Sequence, residues 1–226
     1  MIVLDSGPII AMTANNLLWA FKDLKRLHGS DLLMPLSVKR ELVDRGLETQ
    51  QFKFEAIQVG SYVQDGTFRI IDDERVKKKT NLLLRVANRI LSVGKRNLRI
   101  VQRGEMEAVA TALVMGADAV VVDERTTRTM IESPNELRGM MQHRLHKKLR
   151  VDRQALNRFQ NEVKGIFIMR SIELVMVAYE QGLLDRFIID IPNARTRLLE
   201  SLLWGMKTEG CSVTVQEINE LVRSAA

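Results

Sequence analysis

"GEMEAVATALVMGADAVVVDE" (Gly104–Glu124) decides the architecture. Residues 104–116 are rich in alanine and apolar side chains and end on Gly116, so they form a helix closed by a left-handed glycine. Residues 118–123, "DAVVVD", follow at once. Their run of valines is too short for a helix and does not alternate with polar residues, which predicts a strand buried on both faces. A helix feeding straight into such a strand is half of a β-α-β unit.

The same alternation extends upstream. "IVLD" (2–5), "DLLMP" (31–35) and "TFRIID" (67–72) read as buried strands. Residues 7–29 read as one helix, with Gly7 at the N-cap and Pro8 at the first helical position. Residues 37–48 read as a helix capped by Ser37, 53–66 as a weaker helix, and 74–94 as one long helix. The resulting class is α/β, with a parallel sheet of four to five strands flanked by helices. Downstream, residues 126–160 are polar and helical with no strand signal. A very short strand and an apolar helix occupy 162–184, a helix runs from Asn193 to Gly210, and Thr214 with Glu217 forms a capping box for the last one. The expected division is a main domain over 1–190 carrying a helical basic insertion at 126–160, with a helical extension over 191–226 packed on it.

With 226 residues and 46% hydrophobic content the chain can build a large core. The net charge of +6 points to a polyanionic partner, and two Trp and two Tyr are too few for an aromatic stacking platform. Cys211 is the only cysteine, which excludes an intrachain disulfide framework and a cysteine-rich zinc site and fits a reducing interior. The N-terminus lacks the basic start of a signal peptide, and no uncharged apolar run reaches membrane-spanning length. A cytoplasmic protein is expected.

In open parallel sheets, sites lie at the carboxyl ends of the strands. Asp5 ends the first strand and Asp123 the fourth, while Glu41 and Glu105 lie in the first turns of two helices. Each acid alone has an ordinary explanation as a turn or cap residue. Glu41, however, stands four residues after Ser37, where a capping box needs three. Grouped, the four carboxylates repel one another unless a cation sits among them, and Mg²⁺ or Mn²⁺ prefers such oxygen ligands. Glu107 competes with Glu105, but two residues turn a helix by about 200°, so both cannot face one site. Glu105 shares its face with the small Ala108 and Ala112, which favours it.

"IVLDSGPIIA", "MPLSVKREL" and "GEMEAVATALVMGADAVVVDE" together resemble the successive signatures of PIN-domain nucleases, over roughly residues 1–125. The Gly-Glu-x-x-Ala opening and the tail from "AYEQGLLDRF" resemble a prokaryotic subgroup related to VapC toxins. The resemblance implies a PIN-like, Rossmann-like sheet and a metal-dependent endoribonuclease, either a toxin paired with an antitoxin protein or an RNA-processing enzyme. It makes Asp5, Glu41, Glu105 and Asp123 the acidic Mg²⁺ or Mn²⁺ site, with Ser6, Glu107, Glu124 and Arg128 as accessory candidates. A homodimer is expected. About 35 residues (126–160) separate Asp123 from the last strand, where compact members continue sooner. Arg144, Lys147, Lys148, Arg150 and Arg153 of this insertion are RNA-binding candidates, because an acidic site repels a phosphate backbone that cations must then hold.

Other strand-end chemistries fail on residue type. A haloacid-dehalogenase-type phosphatase needs a second Asp where Gly7 stands, a receiver domain needs an acidic pair at the first strand, and no G-x-G-x-x-G follows that strand. His143 and His146 lack a third ligand. The alternative of another class is a catalytically weak nucleic-acid-binding or partner-binding module with a scaffold role.

Overall fold

The computed structural model describes residues 1–225; Ala226, the last residue of the expected C-terminal extension, lies outside the described residues. Strands β1 (Ile2–Leu4), β2 (Leu32–Pro35), β3 (Phe68–Ile71), β6 (Ala119–Val121) and β8 (Ile168–Met169) form one sheet in the order β3-β2-β1-β6-β8, every pair parallel. This is the expected PIN-like α/β sheet. β1 is central, and Leu4 pairs with Val121, so Asp5 and Asp123 leave neighbouring strands at the same edge.

The apolar runs are continuous because both faces are covered. On one face, Leu4 and Val121 join α1 (Ser6–Ala14), α2 (Ala20–His28), α5 (Lys53–Gln64), α11 (Ser171–Glu180), α12 (Ala194–Thr208) and α13 (Val215–Ser224). On the other, Val3, Val120 and Val122 meet α6 (Glu74–Ala87), α7 (Arg103–Met115), α8 (Arg125–Glu132), α9 (Pro134–Leu145) and α10 (Arg153–Glu162). Helix α12 lies so close to the end of α1 that a Cβ built at Gly205 would fall 2.0 Å from Asn15 Oδ1. No helix of the described residues is long and apolar enough to cross a membrane.

Several local expectations are corrected. The first helix starts at Ser6 with Asp5 as N-cap, so Gly7 and Pro8 lie inside its first turn. It stops at Ala14, where Asn16 turns left-handed (φ 56°) as asparagine tolerates, and α2 begins a second helix. The next helix starts before Ser37 with Pro35 as its cap, as α3 (Leu36–Lys39), passes through a π-helical turn over Arg40–Arg45, and ends as α4 (Gly46–Glu48). Residues 74–94 do not form one helix. After Ala87 the chain forms β4 (Leu91–Val93), turns at Gly94 (φ 59°), and returns as β5 (Arg96–Asn97). The insertion does contain a strand, β7 (Arg150–Val151), which pairs with β4 and ties the insertion to the hairpin.

Candidate active site

Asp5 leaves β1 into α1, 6% exposed, with no side-chain cap hydrogen bond. Burial pushes its carboxyl up to about 7; the Ser6 N–H opposes this, and the charges of Glu105, Glu41 and Asp123 add to it. Acids from three other elements thus act on one buried carboxyl, and none of the four takes part in an ion pair among the described residues. The acids at the end of β3 are used differently: Asp73 caps α6 and Asp72 pairs with Lys77 at 2.8 Å.

The two glutamates of α7 separate as their helical angle requires. Glu105 lies within reach of the Asp5 and Glu124 charges. Burial raises its carboxyl and Glu124 adds to the rise, while the Gln102 N–H, the Thr127 hydroxyl and Arg99 pull it down. The Gln102 N–H and Thr127 hydroxyl donate to Oε2 at 2.9 and 3.2 Å. Glu107 turns away, 8% exposed, and its Oε1 accepts the Ser37 N–H at 3.2 Å. It therefore satisfies a free donor in the first turn of α3, with Arg103 4.0 Å from its other oxygen.

Glu41 is exposed and sits in the π-helical turn, a backbone irregularity that redirects side chains and recurs at functional sites. It borders an apolar groove of about 410 Å³ between α1 and α5. Asp123, 5% exposed, is held from the far side: the Ser171 N–H and hydroxyl donate to Oδ1 at 2.8 and 3.0 Å, at the N-terminus of α11. Burial raises its carboxyl, and hydrogen bonding from Ser171 and the Cys211 thiol opposes the rise. The buried Cys211 thiol lies beside it, pushed up to about 12 by burial and by the Asp123 charge. Asp123 Oδ2 is buried and accepts no hydrogen bond of ordinary geometry among the described residues. It faces Gly7, where a Cβ would stand 3.9 Å from it.

Among the accessory candidates, Ser6 contributes its N–H beside Asp5. Glu124 caps α8, accepting the Thr127 N–H at 2.7 Å, so Thr127 ties it to Glu105. Arg128 is committed to the C-terminal segment, donating to Ser212 O and Oγ at 3.2 and 3.0 Å and lying 3.4 Å from Glu132. Of the RNA-binding candidates, Arg144 borders a cleft of about 570 Å³ shared with Glu105 and Glu124. Lys147 and Lys148 are exposed in the turn after α9, Arg150 is exposed on β7, and Arg153 opens α10. His143 and His146 are exposed, with ring centres 6.2 Å apart.

Ser171, Thr127, Cys211 and Arg99 escape a reading of the sequence. Ser171 alone had a signal, since it follows the end of the last parallel strand, the same place on the sheet that singles out Asp5 and Asp123.

No three His, Cys, Asp or Glu side chains among the described residues are arranged to hold a metal ion by direct ligation. The donor set nevertheless suits a hard divalent ion. It offers oxygen only, it is not neutralised by any cation in ion-pair contact, and it includes an orphaned buried oxygen. Mg²⁺ retains several waters and needs only one or two carboxylates in direct contact.

Comparison with known families gives one result: the sequence model of the PIN domain matches residues 1–135, more than half of the chain. No curated protein and no solved structure matches it.

Proposed function

The chain belongs to the PIN-domain family, and on that premise we propose that it is a metal-dependent endoribonuclease whose site is Asp5, Glu41, Glu105 and Asp123. The observation that carries the reading is geometric: Asp5 and Asp123 are buried at the same edge of the paired strands β1 and β6, and the Glu105 and Glu41 charges reach Asp5 there. Asp5, Glu41, Glu105 and Asp123 would hold Mg²⁺ or Mn²⁺. Such an ion, when bound, neutralises charge on a phosphodiester and lowers the pKa of a water. In the metal-free chain burial raises the Asp5 carboxyl to about 7, so it would give up a proton and serve as a carboxylate ligand when a cation is bound. Asp123, fixed through Oδ1 by Ser171, has its unpartnered Oδ2 near Gly7 in the first turn of α1. Glu105, fixed through Oε2 by Gln102 and Thr127, keeps Oε1 available.

The reading implies a cytoplasmic enzyme acting on RNA, as a homodimer, with an antitoxin protein as partner if it is a toxin. The C-terminal extension beyond about residue 190 belongs, in this reading, to the enzyme's own body. A second reading, a catalytically weak nucleic-acid-binding module, is favoured by one observation: the absence of a three-residue direct ligand set among the described residues. Incubating the purified chain with a generic single-stranded RNA and Mg²⁺ or Mn²⁺ separates the two. Metal-dependent fragments that vanish with EDTA and in Asp5→Asn are expected; RNA that binds and stays intact would favour the module.

A further inference from the structure

Arg99 and Arg144 come from segments far apart in sequence, yet both border the cleft that holds Glu105 and Glu124. The backbone around Arg99 is fixed on both sides. The Leu98 N–H donates to Leu91 O at 2.8 Å, and the Ile100 and Val101 N–H groups donate to Asn88 Oδ1 at 2.7 and 3.2 Å. The insertion is fixed to the same hairpin: β7 pairs with β4, and the Asp152 N–H donates to Ile90 O at 2.8 Å. The two arginines are therefore carried on one braced unit.

Among the described residues neither charge is held in an ion pair, although Arg99 lies near enough to lower the Glu105 carboxyl. Arg99 makes no side-chain hydrogen bond or ion pair among the described residues, and Arg144 reaches only the Thr126 hydroxyl, at 3.5 Å. Arg128 and Arg170 behave otherwise, since both are committed to Ser212 and to glutamates. Many other exposed arginines are also unpaired; what distinguishes this pair is that they share a cleft with Glu105. Arg144 also borders a second cleft, of about 650 Å³, together with Arg125 and His143, so the polar surface continues past it.

A guanidinium presents a planar fork that matches a phosphate, and two of them beside a carboxylate site offset the repulsion it exerts on a polyanion. We propose that Arg99 and Arg144 form a clamp on the backbone phosphates of single-stranded RNA, seating the strand against Glu105. The clamp rests on the nuclease reading for the identity of the strand, but its binding test does not depend on catalysis. It also shifts the grip from the insertion alone to the insertion and the segment that follows the 91–97 hairpin.

The test is the affinity of a fluorescein-labelled, mixed-sequence twelve-nucleotide RNA, measured in EDTA over a series of salt concentrations. Arg99→Gln and Arg144→Gln should each weaken binding several-fold and flatten the plot of log affinity against log salt by about 0.7, and the double variant by about 1.4. Arg197→Gln, on α12 and away from the cleft, should leave both unchanged. An unchanged slope in the double variant, or an equal loss in Arg197→Gln, overturns the clamp. Cleavage with Mg²⁺ is scored separately. RNA bound with the expected slopes but never cut would refute the nuclease reading and leave the clamp standing. RNA cut equally well by the double variant would refute the clamp and leave the nuclease.

Discussion

The ends of β1 and β6 carry the same residue type at the same edge of the sheet, on paired strands, and are buried to the same degree. They differ in what surrounds the carboxylate. Asp5 has no side-chain cap hydrogen bond, and burial raises it, with the other acids adding to the rise. Asp123 has one oxygen held by two donors from Ser171 and the other left without a partner. Strand-end position therefore nominates a residue, and its hydrogen bonds decide how much of it remains for chemistry. On this account Asp5 is the central ligand, and Asp123 is a pre-positioned arm with one free oxygen.

The sharpest way to break that comparison is Asp5→Asn. Cleavage of RNA is expected to fall at least about a hundredfold, because a charge that would hold the cation is removed. The same change should stabilise the metal-free protein at alkaline pH. The folded Asp5 carboxyl titrates near 7 and the unfolded one near 3.8, so folding takes up a proton between those values. Stability of the wild type is then fully present below about pH 4 as far as this group is concerned, and is lost as pH rises through 7, by an amount of the order of a few kcal/mol. Thermal melts in EDTA at pH 5 and pH 8 should show that loss in the wild type and a smaller one in Asp5→Asn. Equal pH dependence in both would mean that the Asp5 carboxyl is not the group raised on folding.

The glutamates of α7 sharpen the same lesson. Glu105→Gln should cost most of the activity with little change in melting temperature. Glu107→Gln should keep most of the activity and cost about 1 kcal/mol, through a weaker bond to the Ser37 N–H. The reverse ranking in paired activity and melting assays would place Glu107 in the site.

Ser171→Ala removes one of the two donors to Asp123 Oδ1. A stability loss of about 1–3 kcal/mol is expected in denaturant unfolding, since a buried charged acceptor is left under-satisfied, with activity reduced less than in Glu105→Gln. An activity loss as large as that of Asp5→Asn would show that the two strand ends are equally critical. The smallest effect concerns Cys211. Buried and pushed up to about 12, its thiol should resist iodoacetamide at pH 8 in the folded chain and react on unfolding, as mass spectrometry would record. Ready modification of the native chain would mean that the pocket around Asp123 is open.

The strands and their order were legible because Ile2–Leu4, Leu32–Pro35 and Ala119–Val121 are uninterrupted apolar runs bounded by acids, glycine or proline. The 91–97 hairpin was not, since "NLLLRVANRILSVG" keeps helical spacing past Ala87 and only Gly94 marks the turn. Missing the hairpin hid Arg99. That Glu105 and Glu107 point apart was readable from helical angle alone, and Glu107 bonds the Ser37 N–H. Ser171's grip on Asp123 was invisible because it depends on how β8 docks beside β6, a contact between residues 48 positions apart. The π-helical turn at Glu41 left no trace in residue type.

The central claim is that the acids around Asp5 hold a divalent cation. Titrating the metal-free chain with Mn²⁺ and following free Mn²⁺ by electron paramagnetic resonance tests it most directly. The account predicts saturable binding in the wild type, retained in Glu107→Gln and lost in Asp5→Asn and Glu105→Gln. Binding of equal strength in the wild type and Asp5→Asn, or no saturable binding in the wild type, would contradict it.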